Sequence, residues 1–201
     1  VLEVERKFRS LAVRELTQYG GLPHFNSLRK LPDQIIRDSY YDKSNILSAA
    51  GAWIRYRDGE WQAKIRKGGD FNNSRFEELS SIGDIAAYIK RKTGIDGGEA
   101  TNFGLQPTAT FSTTRETWVA DDEFHVVLDT MEFGHQVGEI ELQKTLAGEN
   151  GGAPTERQKQ QEMQIMDDRI VAFMKTYAWA FSLGEPRGKL TAYFERLRSQ
   201  V

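Results

Sequence analysis

The chain of 201 residues contains no cysteine. That excludes disulfides, zinc–thiolate sites and thiol nucleophiles, and it fits a reducing compartment. Histidine is scarce. His24, His125 and His135 stand at no metal-ligand spacing and beside no serine or cysteine pattern, so they read as structural or surface residues. There is no basic excess: 27 Lys and Arg against 29 Asp and Glu leave a net charge of -2, without an overall footprint for nucleic acid. A Walker loop is missing too. Gly188-Lys189-Leu190 lacks the preceding glycine spacing and the hydroxyl residue that would follow. The longest apolar run, Ile170 to Leu183, is interrupted by Lys175 and is too short to span a bilayer. The beginning shows no basic-then-apolar leader. The expectation is a cytoplasmic chain with no membrane or nucleic-acid partner. No repeat, linker or low-complexity tract divides residues 1–201, so one domain is expected, as a monomer. With 39% hydrophobic and 28% charged residues, the chain can bury a core.

Period-two alternation dominates the first three quarters of the chain. Leu2–Phe8 reads as a strand, and Ser10 is placed to cap a short helix through Tyr19, closed by Gly20-Gly21. Strand-like pieces follow at Pro23–Lys30 and Gln34–Tyr41, then a brief turn or helix at Asn45–Ala50. Ala52–Arg57 and Glu60–Arg66 flank Asp58-Gly59, a strong hairpin signal. A loop is expected from Gly68 to Ser74, then a strand at Arg75–Leu79 and a helix at Ile82–Lys92. Gly94–Gly104 reads as loop or poorly formed helix. Thr108–Ala120, Glu123–Thr130 and Gly138–Lys144 complete the strands, and Gly148–Gly152 is a break. Beyond it the period changes to about 3.6: Met163, Met166, Ile170, Phe173 and Tyr177 form one stripe of a long helix. A last helix carries Leu190, Tyr193, Phe194 and Leu197. About eight strands on short turns predict an α+β fold, a closed eight-stranded antiparallel β-barrel with helices packed outside.

Parity assigns the charges. Glu3, Glu5 and Lys7 share one face of the first strand, against Leu2, Val4 and Phe8. Trp53, Arg55 and Arg57 share a face, as do Gln62, Lys64 and Arg66, and Glu139, Glu141 and Gln143. Taken singly, each face could be a wet sheet surface. Together, the apolar faces have a destination under the helices, and the charged faces then meet inside the closed sheet. A lumen crowded with both signs asks for a polyanion carrying a cation. Arg and Lys donate to phosphate oxygens. Glutamates at i and i+2 are hard oxygen ligands for Mg²⁺, with Mn²⁺ as the alternative.

Glu3-Val-Glu-Arg-Lys7 matches the Glu-x-Glu-x-Lys signature of the CYTH, or triphosphate tunnel metalloenzyme, superfamily. The match continues in order through Arg37–Asp42, Trp53-Ile-Arg-Tyr-Arg57, Trp61–Lys64, Glu77-Glu-Leu79, Arg115, Leu128-Asp129, Gly138–Glu141 and Lys189. Within the superfamily the chain most resembles the animal-type thiamine-triphosphatases, through Tyr40-Tyr41-Asp42, Trp53, Asp129–Gly134 and Lys189. The resemblance implies a metal held by Glu3, Glu5, Glu139 and Glu141, with Asp129 as a further ligand. It implies a triphosphate bound by Lys7, Tyr40, Arg55, Arg57, Lys64, Arg115 and Lys189, with Trp53 stacked on the thiamine. Glu5, Lys64 and Glu78 are the expected catalytic residues. The chain departs from that branch at one position: Val127 stands where the branch has the first acid of Asp-Leu-Asp. Asp129, two residues on along the same face, is expected to replace it in part, or water completes the shell. The expected activity is metal-dependent removal of the terminal phosphate of thiamine triphosphate. The alternatives are an inorganic or nucleoside triphosphatase of the same fold, and a silent polyphosphate-binding module.

Overall fold

The computed structural model describes residues 1–148, 152–182 and 184–199. Its strands are β1 (Leu2–Phe8), β2 (Leu28–Lys30), β3 (Gln34–Asp42), β4 (Ala52–Arg57), β5 (Glu60–Gly69), β6 (Asn73–Leu79), β7 (Gln106–Ala120), β8 (Phe124–Met131) and β9 (Gln136–Lys144). They form one sheet in the order β2-β7-β3-β4-β5-β6-β1-β9-β8, and a further β7–β8 pairing closes eight of them into an antiparallel barrel. β2 is the ninth strand and stands outside the closure. It pairs with Trp118–Ala120 of β7, along the edge whose earlier part, Gln106 to Arg115, pairs with β3.

The helices are α1 (Ile46–Ala49), α2 (Ile82–Thr93), α3 (Glu156–Thr176) and α4 (Lys189–Ser199). Thr155 starts α3 with a capping box: its hydroxyl accepts from the Gln158 backbone, and the Gln158 side chain accepts from the Thr155 backbone. The expected stripe Met163, Met166, Ile170, Phe173 and Tyr177 is buried on the outer faces of β1, β8 and β9, against Leu2, Val4, Val126 and Ile140. Across the barrel, Ile85, Tyr88 and Ile89 of α2 cover Ala52, Ile54, Ala63 and Ile65 of β4 and β5. The apolar parity sets therefore point outward under helices, and their partners point in. No helix among the described residues is long and apolar enough to cross a membrane.

The Asp58-Gly59 turn has positive φ at both residues, as the primed hairpin requires. The loop expected from Gly68 to Ser74 is shorter than that. β5 runs to Gly69 and β6 starts at Asn73, because the Asp70 carboxylate takes the Asn72 and Asn73 backbone N–H groups at 2.8 Å each. The helix expected from Ser10 to Tyr19 does not form. Ser10 instead meets Ser182, Leu11 bridges Phe181, and Ala12 donates to the Ala180 carbonyl at 2.9 Å. Tertiary partners thus take the backbone groups a helix would have used. Gly21 is not a cap: a Cβ there would lie 2.1 Å from the Trp179 indole. The strand expected at Pro23–Lys30 shrinks to Leu28–Lys30. The break at Gly148–Gly152 includes residues 149–151, which lie outside the described set.

Candidate active site

The inward faces enclose a cavity of about 440 Å³. β1 contributes Glu3, Glu5 and Lys7, and β9 contributes Glu139 and Glu141. β4 contributes Trp53, Arg55 and Arg57, while β5 gives Lys64, β6 Glu78, β3 Tyr40 and β7 Arg115. Lys189 reaches in from the first residue of α4. All but one of the residues expected from sequence therefore converge. The exception is Asp129, which does not line the cavity. It lies behind the wall, bonded to Arg115 and Lys189.

Strand pairing sets the arrangement of charge. Glu5 lies opposite Glu141, and Lys7 opposite Glu139, across β1 and β9. Lys7 bonds Glu5 and comes within 3.5 Å of Glu139. Lys64 stands 2.7 Å from Glu5 and 3.0 Å from Glu3. Arg57 is held bidentately by Asp38. Arg55 bonds Gln62 at 2.8 Å and lies 3.6 Å from Glu78.

Such crowding splits the carboxyls apart. Burial, with Glu3 and Glu139 nearby, pushes Glu141 up to about 8, against Arg115 and Lys64. Burial acts the same way on Glu139, but Lys189, Lys7, Lys64 and Arg115 outweigh it and hold that carboxyl well below the ordinary range. Glu3 is raised, chiefly by burial with help from Glu78, while Lys64 opposes. Burial works against the Lys64 charge, yet Glu3 and Glu5 keep it firmly protonated. At neutral pH the site therefore contains both protonated and ionised carboxyls, as paired like charges require.

Among the described residues no three His, Cys, Asp or Glu side chains converge as a metal cluster. Glu3, Glu5 and Glu139 surround the Lys7 and Lys64 ammonium groups instead. The donor chemistry still fits a hard divalent cation. Four buried side chains, Glu3, Glu5, Glu139 and Glu141, offer only oxygen. Arg115 engages both Asp129 oxygens and Lys189 one of them, much as Lys7 and Lys64 engage the two oxygens of Glu5.

Several residues in or beside the cavity do not stand out as site residues from sequence. Phe76 sits between Ser74 and Glu78 on the inward face of β6, and the Lys64 ammonium lies 4.4 Å from its ring centroid. The Arg66 guanidinium lies 5.2 Å from the Trp53 ring. Leu190 and Thr191 of α4 line the same cavity. Asp38 shares the face of Tyr40 at i and i+2, so parity applied to β3 would have found it. His125 is half-buried opposite Glu141 in the β8–β9 register, where burial and then Arg29 and Arg115 push it below its usual value.

The CYTH domain model matches residues 2–170. Human thiamine-triphosphatase is 29% identical over 226 residues, covering 100% of this chain and 87% of that protein. The enzyme of the same name from Macaca fascicularis is 29% identical over 227 residues with the same coverage. Among solved structures, a Pyrococcus horikoshii protein superposes with a TM-score of 0.56 at 15% identity, covering 96% of this chain and 99% of its own. A Hippeastrum protein described as having a dominant triphosphatase activity superposes with a TM-score of 0.55 at 15% identity, covering 96% of each chain. These two likenesses show the fold.

Proposed function

The chain belongs to the CYTH family, and from that premise we propose that it is a divalent-cation-dependent hydrolase that removes the terminal phosphate of thiamine triphosphate. One observation carries the reading: a single cavity gathers five glutamates, seven basic side chains and, with them, Trp53 and Tyr40. The full-length similarity to thiamine-triphosphatases supports the substrate.

Glu3, Glu5, Glu139 and Glu141 would hold the cation, Mg²⁺ or alternatively Mn²⁺. When bound, such an ion polarises phosphate oxygens and neutralises their charge. Lys7 and Lys64, now bonded to Glu5, exchange that carboxylate for phosphate oxygens when the substrate enters. Arg55, Arg57, Arg115 and Lys189 take the remaining oxygens, which need charge neutralisation more than covalent help. Glu78 is the proton acceptor for the attacking water. Burial pushes its carboxyl up, but Lys64, Glu3 and Arg55 outweigh this and keep it ionised. Trp53 and Tyr40 face the organic end of the substrate.

Inorganic triphosphate is the competing substrate. The position of Arg66 over the Trp53 ring favours it, because that contact already occupies an aromatic face with a cation. Phosphate release from thiamine triphosphate, tripolyphosphate and ATP, with Mg²⁺ and in excess chelator, separates the readings. Thiamine triphosphate should lead, and only with the metal present. A preference for tripolyphosphate transfers the function to the inorganic substrate. No release from any of them leaves a binding module.

A further inference from the structure

Two of the four lumenal arginines on the strands are gripped in the same way. Arg57 on β4 and Asp38 on β3 are direct cross-strand partners, and so are Arg115 on β7 and Asp129 on β8. Arg57 presents Nε and Nη2 to the two oxygens of Asp38, at 2.7 and 2.7 Å. Arg115 presents the same two nitrogens to Asp129, at 2.8 and 2.7 Å. Both arginines line the cavity and neither aspartate does, each aspartate being 1% exposed. A guanidinium has five N–H donors in a rigid plane. The side-on grip uses two and leaves three on the edge away from the carboxylate. Arg55 is held differently, by the neutral amide of Gln62 at 2.8 Å.

We propose that Asp38 and Asp129 are positioning residues for phosphoryl transfer, resting on the triphosphatase reading above. Each locks one arginine in a single orientation, with its free edge toward the phosphate oxygens, and touches neither substrate nor metal. An arginine fixed beforehand need not be ordered as charge develops on those oxygens, which is where preorganised donors count most. The assignment gives Asp129 a task other than metal ligation. It also separates two effects of opposite sign. On charge alone, a carboxylate behind the wall weakens attraction for a polyanion, so removing it should tighten binding. On geometry, removing it frees the arginine and should slow turnover.

A double-mutant cycle isolates the geometric part. Lysine keeps the charge of Arg57 but cannot be gripped side-on through two nitrogens. The charge effect of Asp38→Asn is common to the Arg57 and Arg57→Lys backgrounds and cancels between them. Rates are expressed per binding site, counted by tripolyphosphate titration, so that unfolded protein does not enter. Asp38→Asn should lower kcat by about 10- to 100-fold without raising KM. In the Arg57→Lys background the same change should cost less than about threefold, and Asp129→Asn with Arg115→Lys should repeat the pattern. If Asp38→Asn does not fold, Asp38→Glu retains the buried charge while displacing the guanidinium, and the cycle is run with it. Equal losses in both backgrounds, or a loss confined to KM, overturn the proposal. A wild type that hydrolyses no triphosphate overturns the triphosphatase reading alone. The cycle is then measured on the Kd for tripolyphosphate, where additivity overturns the positioning role and at least threefold coupling upholds it.

Discussion

The seam between α3 and the barrel and the lumen inside it are built from the same local unit, one carboxylate between two cations. On the seam, Asp167 takes Arg6 at 3.2 Å and Arg75 at 2.8 Å, and Glu77 takes Lys67 at 2.7 Å and Lys159 at 2.6 Å. In the lumen, Glu5 lies between Lys7 and Lys64. Behind its wall, Asp129 lies between Arg115 and Lys189. The difference is in the depth of burial and in the next neighbours. Burial pushes Glu77 up, but hydrogen bonds from Lys159 and Lys67 win and hold it below the ordinary range. Glu141 is driven the other way, by deeper burial first and then by Glu3 and Glu139 beside it, against Arg115 and Lys64. An ion pair therefore says little about function, since helix docking uses it too. Like charges gathered around a cavity say more, because folding alone does not favour them.

The comparison breaks most readily at Glu5. Glu5→Gln removes a carboxylate with little change in volume, and should lower metal-dependent phosphate release by more than about a hundredfold, beyond the 10- to 100-fold usual for outer-shell partners. Circular dichroism should show the fold intact. Release that survives this change, or survives excess chelator, removes the metal assignment.

Glu141 tests the gathering of like charge directly, as stability in chelator. Its carboxyl is raised from 4.5 to about 8 in the folded protein. A raised carboxyl contributes stability that is fully present below pH 4.5 and lost as pH rises through about 8. Glu141→Gln has no such loss. Its advantage over wild type in chemical denaturation should grow from pH 5 to pH 8 and then level off, reaching the order of a few kcal/mol for a shift of this size. A constant difference across that range means that Glu141 does not titrate among its neighbours.

Trp53 sharpens the substrate. A cation over an indole face is worth roughly 0.5–2 kcal/mol. Trp53→Ala should lower kcat/KM for thiamine triphosphate about tenfold and leave tripolyphosphate hydrolysis nearly unchanged. An equal drop on both substrates makes Trp53 a packing residue beside Phe76 and Leu190.

The smallest effect belongs to the seam. Glu77→Gln weakens two partly exposed pairs, so stability should fall by about 1 kcal/mol or less, with kcat unaltered. A large loss of turnover would join seam and lumen into one system.

The barrel was legible because strands have a period of two. Each apolar set had one destination, and that fixed where its charged partner set must face. Lys189 followed from the resemblance and not from parity, since a helix terminus has no strand face to read. The helix expected at Ser10–Tyr19 failed for the opposite reason. Its cap and glycines were real local signals, but Ser182, Phe181 and Trp179, far along the chain, claimed those groups. Asp38 is legible in the same way as the other inward residues, since it stands at i and i+2 with Tyr40 on β3.

The sequence by itself determined which strand side chains face inward, because alternation along a strand is a local property of the backbone. It also determined the α3 stripe, for the same reason at a different period. Only the tertiary structure decided which of those charges are partners. Asp38 meets Arg57, and Asp129 meets Arg115, because particular strands lie side by side in one register. Register is set by packing between distant segments. That is why Asp129, a metal ligand by resemblance, meets Arg115 and Lys189 only in the fold.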